Sequence, residues 1–227
     1  MGSLPKLDLP WYKHHLVGLD KDIKYRPFTV KEQKILLRAK ESNDAQDMVD
    51  AMKQITELCT QDVVADELPF FDLEDIFLRI RTKSVSEVSE IGYKVKDTDE
   101  KISVQINLDD VKVTKLPEHE KKIMLTDTVG VVMKYPTLEM LSGEATTDED
   151  MILNCIDYVF DTEEVYHFKD VSKEEAQEWV ENFDTSVMLK IHKFFETMPR
   201  LRHEVEIELK DGTKETLKFE GIQDLFT

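Results

Sequence analysis

The chain has 227 residues, 41% of them hydrophobic, and a formal net charge of -18. This apolar content can fill a sizeable core, as one large domain or two small lobes, and excludes a wholly disordered chain. The acidity argues against a sequence-independent nucleic-acid binder, which needs many Lys and Arg to displace counterions from phosphates, and no apolar run reaches bilayer length.

The first sharp local signal is KYRPFTVKEQKILLRAKES, from Lys24 to Ser42. Pro27 pushes Arg26 towards extended geometry, and Thr29 with Glu32 forms a capping box, so a helix begins at Val30. Ile35, Leu36 and Ala39 face inward, while Lys31, Lys34, Arg38 and Lys40 keep their charges in water. Asn43 and Asp44 then break and restart the chain. Met48, Met52, Ile55 and Cys59 recur at helical spacing, predicting a second helix to about Thr60. In LPFFDLEDIFLRIRTKS, Pro69 and Asp72 start a third helix with Leu73, Ile76, Phe77 and Ile80 as its apolar stripe.

The period changes near Val85. Segments 87–95, 102–108, 111–113, 123–125 and 130–133 carry β-branched residues between turn-like clusters and predict antiparallel strands, with residues 96–101 as the best hairpin loop. Helical spacing returns after residue 147. Thr147 and Asp150 form a cap pair ahead of Ile152, Ile156, Val159 and Phe160; Ser172 and Glu175 form a capping box ahead of Ala176, Trp179, Val180 and Phe183. A last helix carries Met188, Ile191, Phe194, Phe195 and Met198 until Pro199 stops it. HEVEIELKDGTKETLKFEG predicts a terminal hairpin around Asp211-Gly212, a dipeptide suited to a type I′ turn.

Helices, strands, helices and a hairpin in that order predict an α+β fold. The corresponding regions are an N-terminal arm and helical region (1–84), an antiparallel β region (85–141) and C-terminal helices with the terminal hairpin (142–227).

Catalytic signatures are scarce. The chain has no GxGxxG, P-loop, GxSxG or HExxH pattern, and only seven glycines. Asp72, Glu74 and Asp75 cluster at a helix start, where capping and the helix dipole account for them; the same dipole accounts for Arg79, Arg81 and Lys83 at the helix end, with a partner site as the alternative. His14 and His15 are adjacent and cannot share a helix face, while His119, His167, His192 and His203 are scattered. Cys59 and Cys155 are far apart, lack partners at metal-ligand spacing, and read as reduced core residues. Neither a metal site nor a cofactor is predicted. A hydrolase built from dispersed acids and histidines is the rival reading.

PKLDLPWY, KYRPFTVKEQKILLRAKES, LPFFDLEDIFLRIRTKSVSEV, TVGVVMKYPT and FEGIQDLF occur in this order over most of the chain and together resemble the baseplate hub family of T-even-type bacteriophages. The most specific pieces are RPFT at 26–29, LPxFDLEDIFLRIRxKS at 68–84 and MKYP at 133–136. The resemblance implies a non-enzymatic protein that helps build the central hub of a contractile-tail baseplate, as a hub subunit or as an assembly factor that leaves before completion. A related reading is a chaperone for the tape-measure protein. The implied partners are other hub or tail proteins, and the implied location is the host cytoplasm during assembly or the virion baseplate.

Charge is polarised along the chain. Residues 1–40 hold nine Lys or Arg against four Asp or Glu, inside a protein of net -18. On this basis Lys24, Arg26, Phe28, Lys31, Lys34 and Arg38 are the candidate partner-binding residues. Their counterpart is an acidic patch on another protein or the acidic remainder of this one.

Overall fold

The structure, a computed structural model, describes residues 7–94, 101–142, 147–209 and 212–225. Strands β1 (Tyr12–Leu16) and β2 (Lys21–Tyr25) open the chain as an antiparallel hairpin. Helices α1 (Val30–Ser42), α2 (Ala45–Cys59) and α3 (Phe70–Ser84) follow. Strand β3 (Val88–Lys94) pairs with β4 (Lys101–Asn107), and the short β5 (Lys112–Thr114) comes next. The middle of the chain holds β6 (Lys122–Met124), β7 (Gly130–Met133), α4 (Leu138–Ser142), α5 (Asp148–Cys155), β8 (Ile156–Phe160), β9 (Val165–His167), α6 (Lys173–Glu181) and α7 (Thr185–Thr197). Strands β10 (Arg200–Glu208) and β11 (Lys214–Glu220) close it. Every strand pair among the described residues is antiparallel, and the fold is α+β as the sequence order predicts.

The chain forms two compact units, Met1–Thr114 with Arg200–Thr227, and Lys115–Pro199. The predicted boundaries near 84 and 141 mark changes of local periodicity, whereas the units follow long-range strand pairing. The strands predicted between 85 and 141 accordingly serve three sheets: β3 with β4 alone, β5 beside β10 and β11, and β6 and β7 beside β8 and β9.

In unit 1, α3 is the hub of the packing. Phe71, Leu73, Ile76, Leu78 and Ile80 are fully buried on it, and Leu78 joins Ile91, Val104, Ile106, Leu201, Leu217 and Phe219 from the strands in one apolar cluster. The acidic residues of α3 do more than the capping predicted for them. Asp72 lies inside the helix, after the Pro69 cap, and its carboxylate accepts the N–H groups of Gly18 (3.0 Å) and Leu19 (3.1 Å) in the β1–β2 turn. A side chain at Gly18 would meet Asp72 Oδ2 at 2.7 Å and the Phe71 ring at 2.8 Å, so glycine is required there by close approach. Asp75 takes His14 Nε2 at 2.6 Å and Arg79 Nε at 2.9 Å. Arg79 is buried and donates onward to the Leu108 and Val111 carbonyls. The dipole account and the partner-site account of Arg79 both give way to this internal cross-link.

In unit 2, β6 to β9 form a four-stranded sheet in sequence order. The Ile152-to-Phe160 stretch, predicted as one helix face, divides: α5 ends at Cys155, and residues 156–160 become a strand. Ile156, Val159 and Phe160 favour a pleated surface, and β8 pairs on both sides, with β7 and β9. The predicted capping pair at Thr147 and Asp150 is formed. At α6, Ser172 Oγ accepts the Glu175 N–H, which is one half of the predicted box. His119 bridges Thr197 and Tyr135, each at 3.0 Å, and stacks against Tyr135 and Phe194. Burial, aided by Lys115 and Lys121, holds its pKa below the ordinary value.

In the terminal hairpin Val205 faces Leu217 and His203 faces Phe219, and Gly212 sits at φ 83°. Asp211 of the expected turn, and residues 96–100 of the other expected hairpin loop, lie outside the described residues.

Glu74 supplies a pH test of unit 1. Its Oε1 accepts the Ile222 N–H at 3.1 Å, its Oε2 is buried without a partner among the described residues, and burial raises its pKa from 4.5 to about 7. A carboxyl raised on folding stabilises fully below its unfolded pKa and loses that contribution as pH rises through the folded one. Stability should therefore fall between about pH 4.5 and 7, by roughly 3 kcal/mol at most from this group. Glu74→Gln should flatten that part of the slope in urea melts at several pH values; an unchanged slope refutes the assignment.

Candidate functional site

The six candidate residues occupy three settings. Lys31, Lys34 and Arg38 are exposed on α1 at i, i+3 and i+7, which puts them on one face of the helix. Lys24 is exposed on β2, directly opposite Lys13 of β1, so the hairpin carries its own pair of cations. Arg26 and Phe28 belong to the joint between hairpin and helices.

Arg26 is turned inward. Its guanidinium donates to Glu32 Oε1 at 2.9 Å, to the Leu58 carbonyl at 2.8 Å and to the Pro27 carbonyl at 2.9 Å. Its backbone N–H donates to the Cys59 carbonyl at 2.8 Å. The bonds to Leu58 and Cys59 satisfy carbonyls at the end of α2, where a helix has no acceptors' partners of its own. Glu32 completes the predicted capping box with Thr29 and is buried, 5% exposed. Burial alone would raise its pKa, but the hydrogen bonds from Arg26 and Thr29 win and hold it at about 2. Phe28 is half-buried, and its N–H donates to Ser84 Oγ at the end of α3 at 2.9 Å.

This joint anchors the start of α1. The helix starts at a fixed cap and ends at Asn43, which adopts the left-handed conformation at φ 55°. Its exposed face carries Val30 (69% exposed) and Leu37 (52% exposed) beside the three cations. Sequence reasoning missed these two apolar residues, although their separation of seven puts them on one helix face. Lys31, Lys34 and Arg38 have no salt bridge among the described residues. Lys34 and Arg38 stand four apart, where like charges repel by roughly 0.2–0.5 kcal/mol.

Three of the six histidines of the rival reading are engaged within the fold. His14 binds Asp75, His15 binds Asp22 at 2.8 Å, and His119 bridges Thr197 and Tyr135. Burial pushes Asp72 up to about 6 despite its two amide bonds. Among the described residues no group of three or more His, Cys, Asp or Glu could hold a metal ion. Cys59 and Cys155 are buried and free, with burial raising their thiols to about 11 and about 12. No helix among the described residues is long and apolar enough to cross a membrane.

Arg26→Met tests the joint separately from the exposed face of α1. It leaves the Glu32 carboxylate buried without its cation, a loss of about 3–5 kcal/mol for a broken buried pair. Because the pKa of Glu32 is depressed on folding, its stabilising contribution is present above the unfolded value of about 4.5 and is lost as pH falls towards 2. Arg26→Met should therefore lower thermal stability at neutral pH and move acid unfolding to higher pH. A variant with wild-type melting and acid midpoint overturns the inward assignment.

No curated protein and no solved structure gives a significant match to the chain. One family model, described as T4 bacteriophage base plate protein, matches residues 9–227. That match includes the hairpin, the Arg26 joint, all three helices of unit 1, the whole of unit 2 and the returning strands, so it concerns the complete architecture described above. The chain belongs to the T4 bacteriophage base plate protein family, and it is a structural protein of the phage baseplate.

Proposed function

We propose that this baseplate protein acts without catalysis in assembly of the central hub of the contractile tail, and that it does so by docking the exposed face of α1 against an acidic surface of another hub component. The observation that carries the reading is the α1 face itself. It combines Lys31, Lys34 and Arg38 with exposed Val30 and Leu37 on a helix capped at both ends. Family membership supplies the setting in which such a face meets another protein.

The mixture of side chains fits a protein partner. Apolar residues at the centre of a contact supply burial, and surrounding cations steer an acidic partner and fix its orientation. Unrelieved repulsion between Lys34 and Arg38 would be removed when an acidic surface arrives. Lys24, with Lys13, extends the cationic character onto the hairpin, while Arg26 and Phe28 support the helix from below.

Complementation tests this reading. A phage lacking the gene, supplied with Lys31→Glu, Lys34→Glu and Arg38→Glu together, should yield about tenfold fewer complete baseplates by electron microscopy, because reversal turns steering into repulsion. The purified triple variant should melt within about 0.5 kcal/mol of wild type, since exposed charges contribute little to folding. A normal baseplate yield from this folded variant removes the docking role. Affinity-tagged wild type, isolated at successive times after infection, should carry hub components; recovery without any of them removes the hub assignment.

A further inference from the structure

Unit 2 contains eight lysines, no arginine and nineteen Asp or Glu. In so acidic a unit lysines should find carboxylates easily. Yet Lys134, Lys169 and Lys173 line one cleft of about 830 Å³, with His167 beside them, and none of the three forms a salt bridge among the described residues. Two acids share the wall, Asp150 and Asp157. Asp150 is engaged by the N–H and hydroxyl of Thr147 at the start of α5. Those bonds keep Asp150 ionised, and it interacts electrostatically with Lys173, so the cleft lining sets three lysines against two acids in a unit where acids otherwise outnumber lysines more than two to one.

The cleft adjoins a sheet edge that is unpaired among the described residues. Strand β9 is the outermost strand of its sheet, with Val165 56% and Tyr166 43% exposed. Pairing with β8 sets Tyr166 opposite Val159 on one face and His167 opposite Tyr158 on the other. The Val159 and Tyr166 face opens on a second, smaller hollow of about 290 Å³, lined also by Phe168 and Trp179, with Asp161 and Glu175 in its wall. His167 and Phe168 line the cationic cleft. Tyr166 and His167 thus face opposite ways from one strand edge, the first into the aromatic hollow and the second into the lysine-lined cleft, and the two hollows share Phe168, Val171 and Ala176 as a common wall.

We propose that unit 2 captures an extended acidic segment of another protein, added as a fifth strand along β9, with alternate side chains directed to the lysines and to the aromatic hollow. A strand presents successive side chains to opposite faces, so the segment alternates acidic and apolar residues. The free edge selects polypeptide over other polyanions, because only a peptide backbone returns the hydrogen bonds that an edge strand offers. Three lysines among nineteen acids are too few to hold a phosphate backbone. This site lies in unit 2 and stands whether or not the α1 face of unit 1 docks.

The test uses the full chain carrying Trp11→Phe, which leaves Trp179 as the one tryptophan and makes its fluorescence report on the hollow. The probe is a synthetic peptide alternating Glu with Val, Leu and Phe; its counterpart has Lys in place of Glu. The acidic peptide should bind and shift the Trp179 emission, and binding should weaken several-fold as salt rises from about 0.05 to 0.3 M. Lys169→Glu with Lys173→Glu should weaken it about tenfold or more, and the corresponding Gln pair should weaken it less. The Gln pair decides the matter if the Glu pair fails to fold. Absence of binding, equal binding of the basic peptide, or wild-type affinity in a folded lysine variant overturns the proposal, as does an oligonucleotide binding the cleft where the acidic peptide does not.

Discussion

Asp75 sits inside unit 1 with one carboxylate oxygen on His14 and the other on Arg79, whose remaining donors reach the carbonyls of Leu108 and Val111. A buried carboxylate and a buried guanidinium are each costly alone, and their geometry here leaves neither alone. Through this one pair the N-terminal hairpin, α3 and the chain just before β5 are fixed to one another. Asp72 and Glu74 repeat the device with backbone amides, drawing in the turn at Gly18 and the turn at Ile222. The first turns of α3 thereby collect elements that lie far apart in the chain, and the apolar stripe of the same helix fills the space beneath.

The two halves of this arrangement differed in how readable they were. Caps and apolar stripes act within one turn, and Thr29 with Glu32, Thr147 with Asp150, and the stripes of α2, α3 and α7 are therefore legible from local spacing. The fate of a polar side chain depends on what arrives from elsewhere. Arg26 looks like one more surface cation until the carbonyl ends of α2, more than thirty residues later, come beside it. Asp72 looks like a cap until the β1–β2 turn reaches its carboxylate. That hairpin is hard to read locally because its strands are five residues each, and their inward alternation of Tyr12, His14 and Leu16 with Ile23 and Tyr25 is short and interrupted by a histidine.

The same reasoning explains the α5–β8 boundary. Ile152, Ile156, Val159 and Phe160 satisfy a helical period, but β-branched and aromatic residues also suit a strand, and over so short a run periodicity does not discriminate. Neighbouring strands on both sides decided it. Of the candidate site, the three α1 cations could be read from the sequence because they share a helix. Lys134, Lys169 and Lys173 could not, since only the path of the sheet brings the first to the other two.

Strands β5 and β10 pair directly, with Thr114 opposite Arg200, and the whole of unit 2 is inserted between those two residues. During synthesis unit 2 is complete as a sequence while unit 1 still lacks β10 and β11. A nascent chain in this state exposes the apolar cluster that Leu201, Leu217 and Phe219 later share with Leu78. Joining β5 to β10 across a flexible loop the length of unit 2 would cost about 4 kcal/mol of closure entropy. A unit 2 already folded brings its ends together beforehand and removes most of that cost. The inserted unit thus prepares the pairing of β5 with β10, and the returning strands complete the apolar cluster of unit 1.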